Sequence, residues 1–223
     1  MKENGLTLKK GAYFGLFLAA LAVSAIRPHD YFTWFLEIAP AVLGMAAVAI
    51  VWRRTWITPL LLTAIMLHCF ILMIGGHYTY ALVPGFTFDL PFLGGLRNNF
   101  DKIGHFAQGF VPALAAGELF IRRRVVNGNA WRNFLVVAVC LAISAAYEFI
   151  EWWVSLATGE AGDSFLGTQG FVWDTQTDMF MCTVGAILAV AILGKLHQRQ
   201  IAACQAAATS VPPRASDGQS PGR

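Results

Sequence analysis

Charged residues are scarce in this sequence. Lysine and arginine together number 16 and aspartate and glutamate 13, which is 13% of the 223 residues, whereas 57% are hydrophobic. A soluble domain usually carries about 25% charged residues, so this composition excludes an ordinary soluble protein and indicates a membrane protein. The net charge of +3 reflects how the basic residues are divided among the loops, and we expect no nucleic-acid partner.

Cysteines are few, and the apolar part of the chain lacks the short motifs of well-known enzyme classes. The four cysteines show no CxxC spacing and three of them fall within apolar runs, so we expect packed thiols and no disulfide framework. HExxH does not occur, and GxSxG occurs only as GQSPG (218–222) near the C-terminus, outside the apolar runs, which leaves no established catalytic signature within those runs. Internal repeats are also lacking, and this argues against a transporter built from inverted halves.

Long apolar runs are the strongest pattern that is present. Most of them are close to the roughly 20 residues that a helix needs to cross about 30 Å of hydrocarbon. Backbone groups must be hydrogen-bonded internally within lipid, so we expect these runs to be helices. The sequence therefore predicts an all-α, polytopic six-helix transmembrane domain over residues 1–197, with spans near 11–26, 32–52, 57–80, 101–121, 133–153 and 177–196.

The distribution of lysine and arginine predicts the orientation of these spans. Thirteen of the sixteen basic residues fall in the N-terminal segment, in every second loop and in the tail. The positive-inside rule makes that side cytoplasmic, so we expect a multi-pass membrane protein with both termini in the cytoplasm. Residues 198–223 have no apolar periodicity and are predicted to be a disordered cytoplasmic tail. An alternative for residues 1–25 is a cleaved signal peptide.

The fourth helix opens with an unusual polar stretch, RNNFDKIGHFAQ (97–108). In a helix Asp101, His105 and Gln108 are spaced i, i+4 and i+7 and therefore share one face. Arg97, at the start of the stretch, can neutralise a carboxylate or bind an anionic head group. Asp101 has a second explanation, because an acid in the first turn of a helix also complements the helix dipole.

Two further helix ends carry acids at the same side of the membrane. The fifth run ends in AAYEFIEWW, where Glu148 and Glu151 are one turn apart beside Tyr147. The sixth begins with WDTQTDMF, where Asp174 and Asp178 are spaced i, i+4. Asp174 is favoured as a helix N-cap. Asp178 lies one turn deeper, where capping does not explain it.

These three helix ends together predict a polar pocket at the non-cytoplasmic face. His105, Glu148 and Asp178 lie roughly 5–8 Å inside their helix ends, at 1.5 Å of rise per residue. An ionisable side chain at that depth costs about 2–3 kcal/mol when unpaired and tends to mark a functional site. The candidate catalytic and metal-binding residues are His105, Glu148, Glu151 and Asp178, and the candidate pocket residues are Arg97, Asp101, Gln108, Tyr147 and Asp174.

Other polar residues have simpler explanations. Glu118 lies one turn before Arg122 and is predicted to form an ion pair at the cytoplasmic surface. His197 is predicted to be a surface residue, and Glu37 is a possible further member of the pocket. The glycine-rich loop GEAGDSFLGTQG (159–170) is predicted to fold back over the site.

Three motifs carry a resemblance to a known family. At RNNFDKIGHFAQGFVPAL, AAYEFIEWW and FLGTQGFVWDTQTDMF, in that order, the chain resembles the YjdF-like bacterial inner-membrane proteins from its first helix to about Leu196. The resemblance implies a multi-spanning inner-membrane protein with these polar positions as its signature, and it implies no particular activity. More distantly, DKxxHF and a late DxxxD followed by Gly185 are similar to the VanZ-like membrane proteins. The chain departs from the pattern at Phe171, where an acid is usual.

Three functions are consistent with these observations. The first is an enzyme acting on a lipid or envelope substrate, either with a divalent metal (Zn, Mn or Fe) that activates water or with a histidine–carboxylate pair as general acid and base. The second is a small proton- or cation-coupled transporter, which would require a homodimer because one chain lacks symmetry. The third is a structural or partner-binding role in which the acids satisfy one another. Membrane lipid is the expected partner in each case.

Overall fold

The computed structural model describes residues 2–159 and 165–210, and side chains are described from residue 9 onward. Within these ranges the chain is mainly helical, as expected for an all-α membrane protein. Its elements are α1 (Lys2–Ser24), α2 (Tyr31–Arg54), α3 (Pro59–Tyr78), β1 (Thr87–Leu90), β2 (Gly95–Asn98), α4 (Phe100–Arg123), α5 (Asn129–Thr158), α6 (Asp174–Leu188) and α7 (Gly194–Thr209).

Four of the described helices are long and apolar enough to cross a membrane. They are α2, α3, α5 and the continuous helix that α6 and α7 form through a π-helical turn at Ala189–Leu193. Helix α4 is of similar length, but it carries charged residues near both of its ends. The helices pack in sequence, α2 on α3, α3 on α4, and α4 on both α5 and α6. Helix α1 lies against α3.

A short β-hairpin, which the sequence analysis did not predict, separates α3 from α4. Strands β1 and β2 are antiparallel, with Thr87 paired to Asn98 and Leu90 paired to Gly95. The hairpin lies where α3 ends and α4 begins, and this end of the bundle is called the hairpin end below. The opposite end, where α4 ends and α7 begins, is called the tail end. The hairpin places β2 directly before the polar first turns of α4.

Helices α4 and α6 cross with their backbones in contact. A Cβ atom added to Gly109 would overlap the carbonyl of Cys182, and one added to Gly185 would overlap the carbonyl of Phe106. Small residues permit such close approach between helices in a membrane. Because the crossing is this tight, the first turns of α6 lie directly against the first turns of α4.

The C-terminal helix is longer than the sequence analysis predicted. Residues 198–209, which were assigned to a disordered tail, are helical in the structure. The segment is rich in alanine, which has the highest helix propensity, and Ile201 is buried. Helix α7 packs against α3 and α4, and Ile201 anchors it to the bundle, whereas the last turns up to Thr209 are exposed. Residues 211–223 lie outside the described residues.

Candidate functional site

A buried lysine lies at the centre of the polar cluster at the hairpin end. Lys102 Nζ is 2.6 Å from Asp174 Oδ1, 2.7 Å from Asp178 Oδ1 and 3.2 Å from Asp101 Oδ2. Its side chain is 2% exposed. A buried ammonium group is tolerated only when it is well paired, and three carboxylates provide that pairing. Lys102 therefore links α4 to both acids of α6.

Arg97 adds a second cation to the same acids. Its Nη1 is 2.5 Å from Asp174 Oδ1, its Nη2 donates to the Gly167 carbonyl at 3.1 Å, and the guanidinium lies 5.8 Å from the centre of the Phe171 ring. Strand β2 positions this side chain, since Arg97 is its third residue. Asp174, which was predicted as an N-cap, makes no capping hydrogen bond and is used for these ion pairs instead.

His105 lies beside the lysine cluster, one turn further along α4. Its Nε2 is 3.3 Å from Asp101 Oδ1 and 3.7 Å from Asp178 Oδ1. On the other side of the ring, Nδ1 is 3.1 Å from Gln108 Oε1. An amide oxygen only accepts, so this contact places a proton on Nδ1 and leaves Nε2 to face the two carboxylates.

Three glutamates lie near His105, and none of them pairs with a lysine or arginine among the described residues. Glu37 on α2, Glu148 on α5 and Glu151 on α5 are all buried. Glu148 Oε1 is 3.8 Å from His105 Nδ1 and makes no hydrogen bond among the described residues. Neither Glu37 nor Glu151 lies within 4.0 Å of a basic side chain in the described part of the chain. The site therefore has more carboxylates than its lysine, arginine and histidine can balance.

The predicted loop over the site is described only from residue 165. Gln169 and Asn98 exchange two hydrogen bonds, of 3.0 and 2.9 Å, between the loop and β2. The ring of Phe165 lies 6.3 Å from that of Tyr147, and the Tyr147 ring lies 6.4 Å from His105. This part of the loop contacts the site, and residues 160–164 lie outside the described residues.

A cavity of about 520 Å³ adjoins this cluster and extends along the bundle between α2, α3, α4 and α5. Glu37, Asp101, His105 and Glu151 line its hairpin end. Apolar side chains line most of its length. His68 interrupts this apolar wall, and its Nε2 is buried without a hydrogen-bond partner among the described residues. The candidate site thus opens into a mainly apolar space within the bundle.

A second polar cluster closes the tail end of the cavity. Glu118 forms the predicted pair with Arg122, at 3.3 Å, and also accepts a 2.7 Å hydrogen bond from the Thr58 hydroxyl. His197, which was predicted to be a surface residue, is instead buried, because α7 packs across α3 and α4. Its Nε2 is 3.1 Å from Thr58 Oγ1 and 3.2 Å from Glu118 Oε2. Both partners contact the same ring nitrogen of His197. In a catalytic triad one ring nitrogen contacts the nucleophile and the other contacts the carboxylate, so this cluster does not have the arrangement of a triad.

The predicted metal ligands are only partly brought together. Asp101, His105 and Asp178 offer ligand atoms that lie within 4.8 Å of one another. Glu148 and Glu151, which the sequence analysis included in the metal site, are not in this group of described residues. Lys102 bridges two of the three ligands and already neutralises part of their charge.

Two important residues were missed by sequence reasoning. Lys102 was counted only as a loop charge, because it does not lie on the stripe formed by Asp101 and His105. The sequence feature that could have revealed Lys102 is its position next to Asp101, inside the apolar helix that carries the polar stripe. Tyr80 was not considered, yet its ring packs so closely on Gly75 and Gly104 that a Cβ at either glycine would overlap it. This ring fixes the turn after α3 against the start of α4.

Comparisons with known proteins place the chain in a family of membrane proteins. A model of the family described as "Predicted membrane protein (DUF2238)" matches residues 10–199. "Inner membrane protein YjdF" of Escherichia coli (strain K12) is 50% identical over 182 residues, which cover 81% of this chain and 87% of that protein. No solved structure matches the chain. The YjdF-like resemblance expected from the three motifs is confirmed.

Proposed function

Because the chain belongs to the DUF2238 family of predicted membrane proteins and is a multi-pass protein of the inner membrane, we propose that its hairpin end faces the periplasm. In this topology α1 to α5 and the continuous α6–α7 helix make six crossings, and both termini are cytoplasmic. The support is the distribution of lysine and arginine, since thirteen of the sixteen basic residues then lie on the cytoplasmic side.

We further propose that the protein acts by acid–base chemistry on a lipid or lipid-linked envelope substrate. The observation that carries this proposal is the position of His105 at the end of a mainly apolar cavity, with its Nε2 3.3 Å from Asp101. An apolar cavity with a few convergent polar groups is the usual form of a small-molecule site. A membrane protein with such a cavity has lipids as its most accessible ligands.

The roles of the residues follow from their contacts. Gln108 accepts from His105 Nδ1 and so holds the ring in one orientation. His105 Nε2 is then the atom that gives or takes a proton at the cavity, and Asp101 stabilises the imidazolium that forms when it takes one. Glu151, which lines the same end of the cavity, is the candidate for the complementary acid or base. Lys102 and Arg97 hold the acids of α6 in place.

The test is a quantitative lipid profile of inner membranes. Cells lacking the protein are supplied with the wild type, with His105→Gln, or with Asp89→Asn, which alters an exposed acid at the same end of the bundle. We expect the wild type and Asp89→Asn to give the same profile and His105→Gln to resemble the cells that lack the protein. Equal profiles for His105→Gln and the wild type would refute the acid–base role.

A divalent metal site is the second candidate. It is favoured by the grouping of Asp101, His105 and Asp178 within 4.8 Å, since a histidine and two carboxylates suit Zn, Mn or Fe. The ammonium group of Lys102 would have to leave these carboxylates before a metal could bind. Elemental mass spectrometry of the purified protein decides the point. A near-stoichiometric metal that is lost in both His105→Ala and Asp178→Asn supports this candidate, and a metal-free folded wild type excludes it.

A further inference from the structure

The cavity is open on one side of the bundle. Helices α2 and α5 both contribute to its lining, but over the described residues they make no extensive contact with each other. Each packs instead on its neighbour, α2 on α3 and α5 on α4. In a membrane the gap between α2 and α5 faces lipid, so the cavity communicates sideways with the hydrocarbon of the bilayer.

Small side chains form one edge of this opening. Gly44 and Ala47 of α2 line the cavity and are exposed. A Cβ atom added to Gly44 would meet no heavy atom within 4 Å. On the α5 edge, Ile143 also lines the cavity while 43% of it remains exposed. The opening is therefore bounded by small and apolar groups, with Gly44 on its α2 edge.

The length of the cavity suits a hydrocarbon chain. His105 and Glu118 both line the cavity on α4 and are thirteen residues apart, which is about 20 Å of helix, and the lining extends beyond them to Asp101 and Arg122. One leaflet of a bilayer contributes about 15 Å of hydrocarbon, half of the total of about 30 Å. The walls between the two ends are mainly apolar, with Val48, Leu61, Ile65, Leu72 and Val111 among the lining residues.

His68 lies where the head of such a lipid would join its chain. Thr58 contacts Glu118, and His68 is ten residues further along α3, or about 15 Å from that level. It is therefore about 5 Å closer to the tail end than His105 is. The unpartnered Nε2 of His68 can donate to an ester carbonyl at this depth.

The charge of the site indicates the head group. Glu37 and Glu151 line the hairpin end of the cavity and have no basic side chain within 4.0 Å in the described ranges. Glu148, buried beside them, has an oxygen without a hydrogen-bond partner there. Buried carboxylates are stable when a cation pairs with them. A ligand with a positively charged head would provide the cation that the protein does not.

We propose that the cavity holds one hydrocarbon chain of a lipid that enters from the bilayer between α2 and α5, and that Glu37 and Glu151 bind an ammonium group in the head of that lipid. This inference names the substrate class of the site and rests on the proposed function for its relevance to catalysis. Binding itself does not depend on acid–base chemistry, so the two are tested separately.

Native mass spectrometry of the full-length protein tests the chain site. The protein in detergent is incubated with equal amounts of phosphatidylethanolamine and phosphatidylglycerol that carry identical acyl chains. We expect Gly44→Phe to lower the bound fraction of both lipids by about tenfold. Gly15→Phe on α1 is the matched control, because it is also an exposed helical glycine with no heavy atom within 4 Å of an added Cβ. It should bind lipid as the wild type does.

Three results would overturn the chain site. One is equal lipid retention by Gly44→Phe and Gly15→Phe when both are folded. Another is that the wild type loses its bound lipid as easily as it loses bound detergent. The third is that the wild type purifies as a dimer without lipid and that Gly44→Phe dissociates this dimer. A second copy of the chain would then cover the opening.

Variants of the two glutamates test the head group. The wild type should bind phosphatidylethanolamine several-fold more than phosphatidylglycerol, because only the former has an ammonium group. The double variant Glu37→Gln with Glu151→Gln should lose this preference and keep its bound lipid. A wild type without preference, or a preference that survives in the double variant, overturns the ammonium site. If His105→Gln leaves the cellular lipid profile unchanged while lipid is still bound, the acid–base function fails and the chain site stands.

Discussion

At the scale of single residues, the polar cluster depends on Lys102. The sequence allowed the acids to be placed at one end of three helices, because the apolar runs fix their depth in the membrane. It did not show which charges pair, since pairing depends on the rotation of α4 about its axis and on the closeness of α6. The lysine contacts Asp101, Asp174 and Asp178, so its removal leaves three buried carboxylates with less compensation.

We expect Lys102→Met to be strongly destabilising. Removing one partner of a buried ion pair usually costs about 3–5 kcal/mol, because the other charge stays buried without a partner. Thermal unfolding in detergent should show a large fall in midpoint relative to the wild type. Lys195→Met, at an exposed position of α7, is the control and should have little effect. Equal midpoints for the two variants would contradict the central position of Lys102.

A second residue-scale prediction concerns Asp30, which lies before α2 and accepts a 2.6 Å hydrogen bond from the Thr33 amide. This bond lowers the pKa of the Asp30 carboxyl below its usual value. A carboxyl whose pKa is lower in the folded state stabilises the fold above its unfolded pKa, and this stability is lost as the pH falls through the folded pKa. Asp30→Ala should therefore be less stable than the wild type near neutral pH, by about 0.5–2 kcal/mol.

The pH dependence provides the check on Asp30. The difference in unfolding midpoint between the wild type and Asp30→Ala should shrink when the pH is lowered from about 7 to about 3. A difference that does not change with pH would show that the charge of the cap does not contribute.

At the scale of elements, the contact between α4 and α6 places the acids of α6 against Lys102. Both helices are predictable from the sequence but their closeness is not, because a glycine in an apolar helix does not reveal which neighbour it faces. The hairpin was missed for a related reason. Its strands are four residues each and are joined through Pro91, so neither has enough length for an alternating pattern. The extension of α7 to Thr209 was missed because residues 198–209 show no periodic pattern of apolar residues.

We expect Gly109→Val to disrupt this contact. The added atoms would meet the backbone of Cys182, which cannot rotate away as a side chain can, and overpacking of this kind costs about 1–3 kcal/mol or more. Gly117→Val on the same helix, where an added Cβ meets nothing within 4 Å, is the control. Unfolding midpoints in detergent compare the two variants. A Gly109→Val protein as stable as Gly117→Val would contradict the close crossing.

At the scale of the whole molecule, the bundle has a polar cluster at each end and a mainly apolar cavity between them. Helix length and charge distribution predicted the membrane location and the end at which the acids gather. The cavity could not be predicted, because it results from helices α2 and α5 standing apart, and no local pattern specifies a gap between two helices.

The orientation of the molecule is open to direct test by cysteine labelling. In a background with Cys204→Ser, a membrane-impermeant maleimide added to spheroplasts should label Asp89→Cys in β1 and should not label Arg124→Cys after α4. Both positions are exposed, so access differs only by the side of the membrane. Labelling of Arg124→Cys alone would reverse the proposed orientation.

The central claim is that His105 acts on a lipid held in the cavity, and the lipids that copurify with the protein test it most directly. Mass spectrometry of the lipids extracted from purified wild type and from purified His105→Gln makes the comparison. We predict that His105→Gln retains a lipid species that the wild type does not, because a variant without its proton-transferring group binds the substrate but cannot convert it. Identical lipids in both proteins, and in the Asp89→Asn control, would contradict the claim and leave the cluster with a structural role.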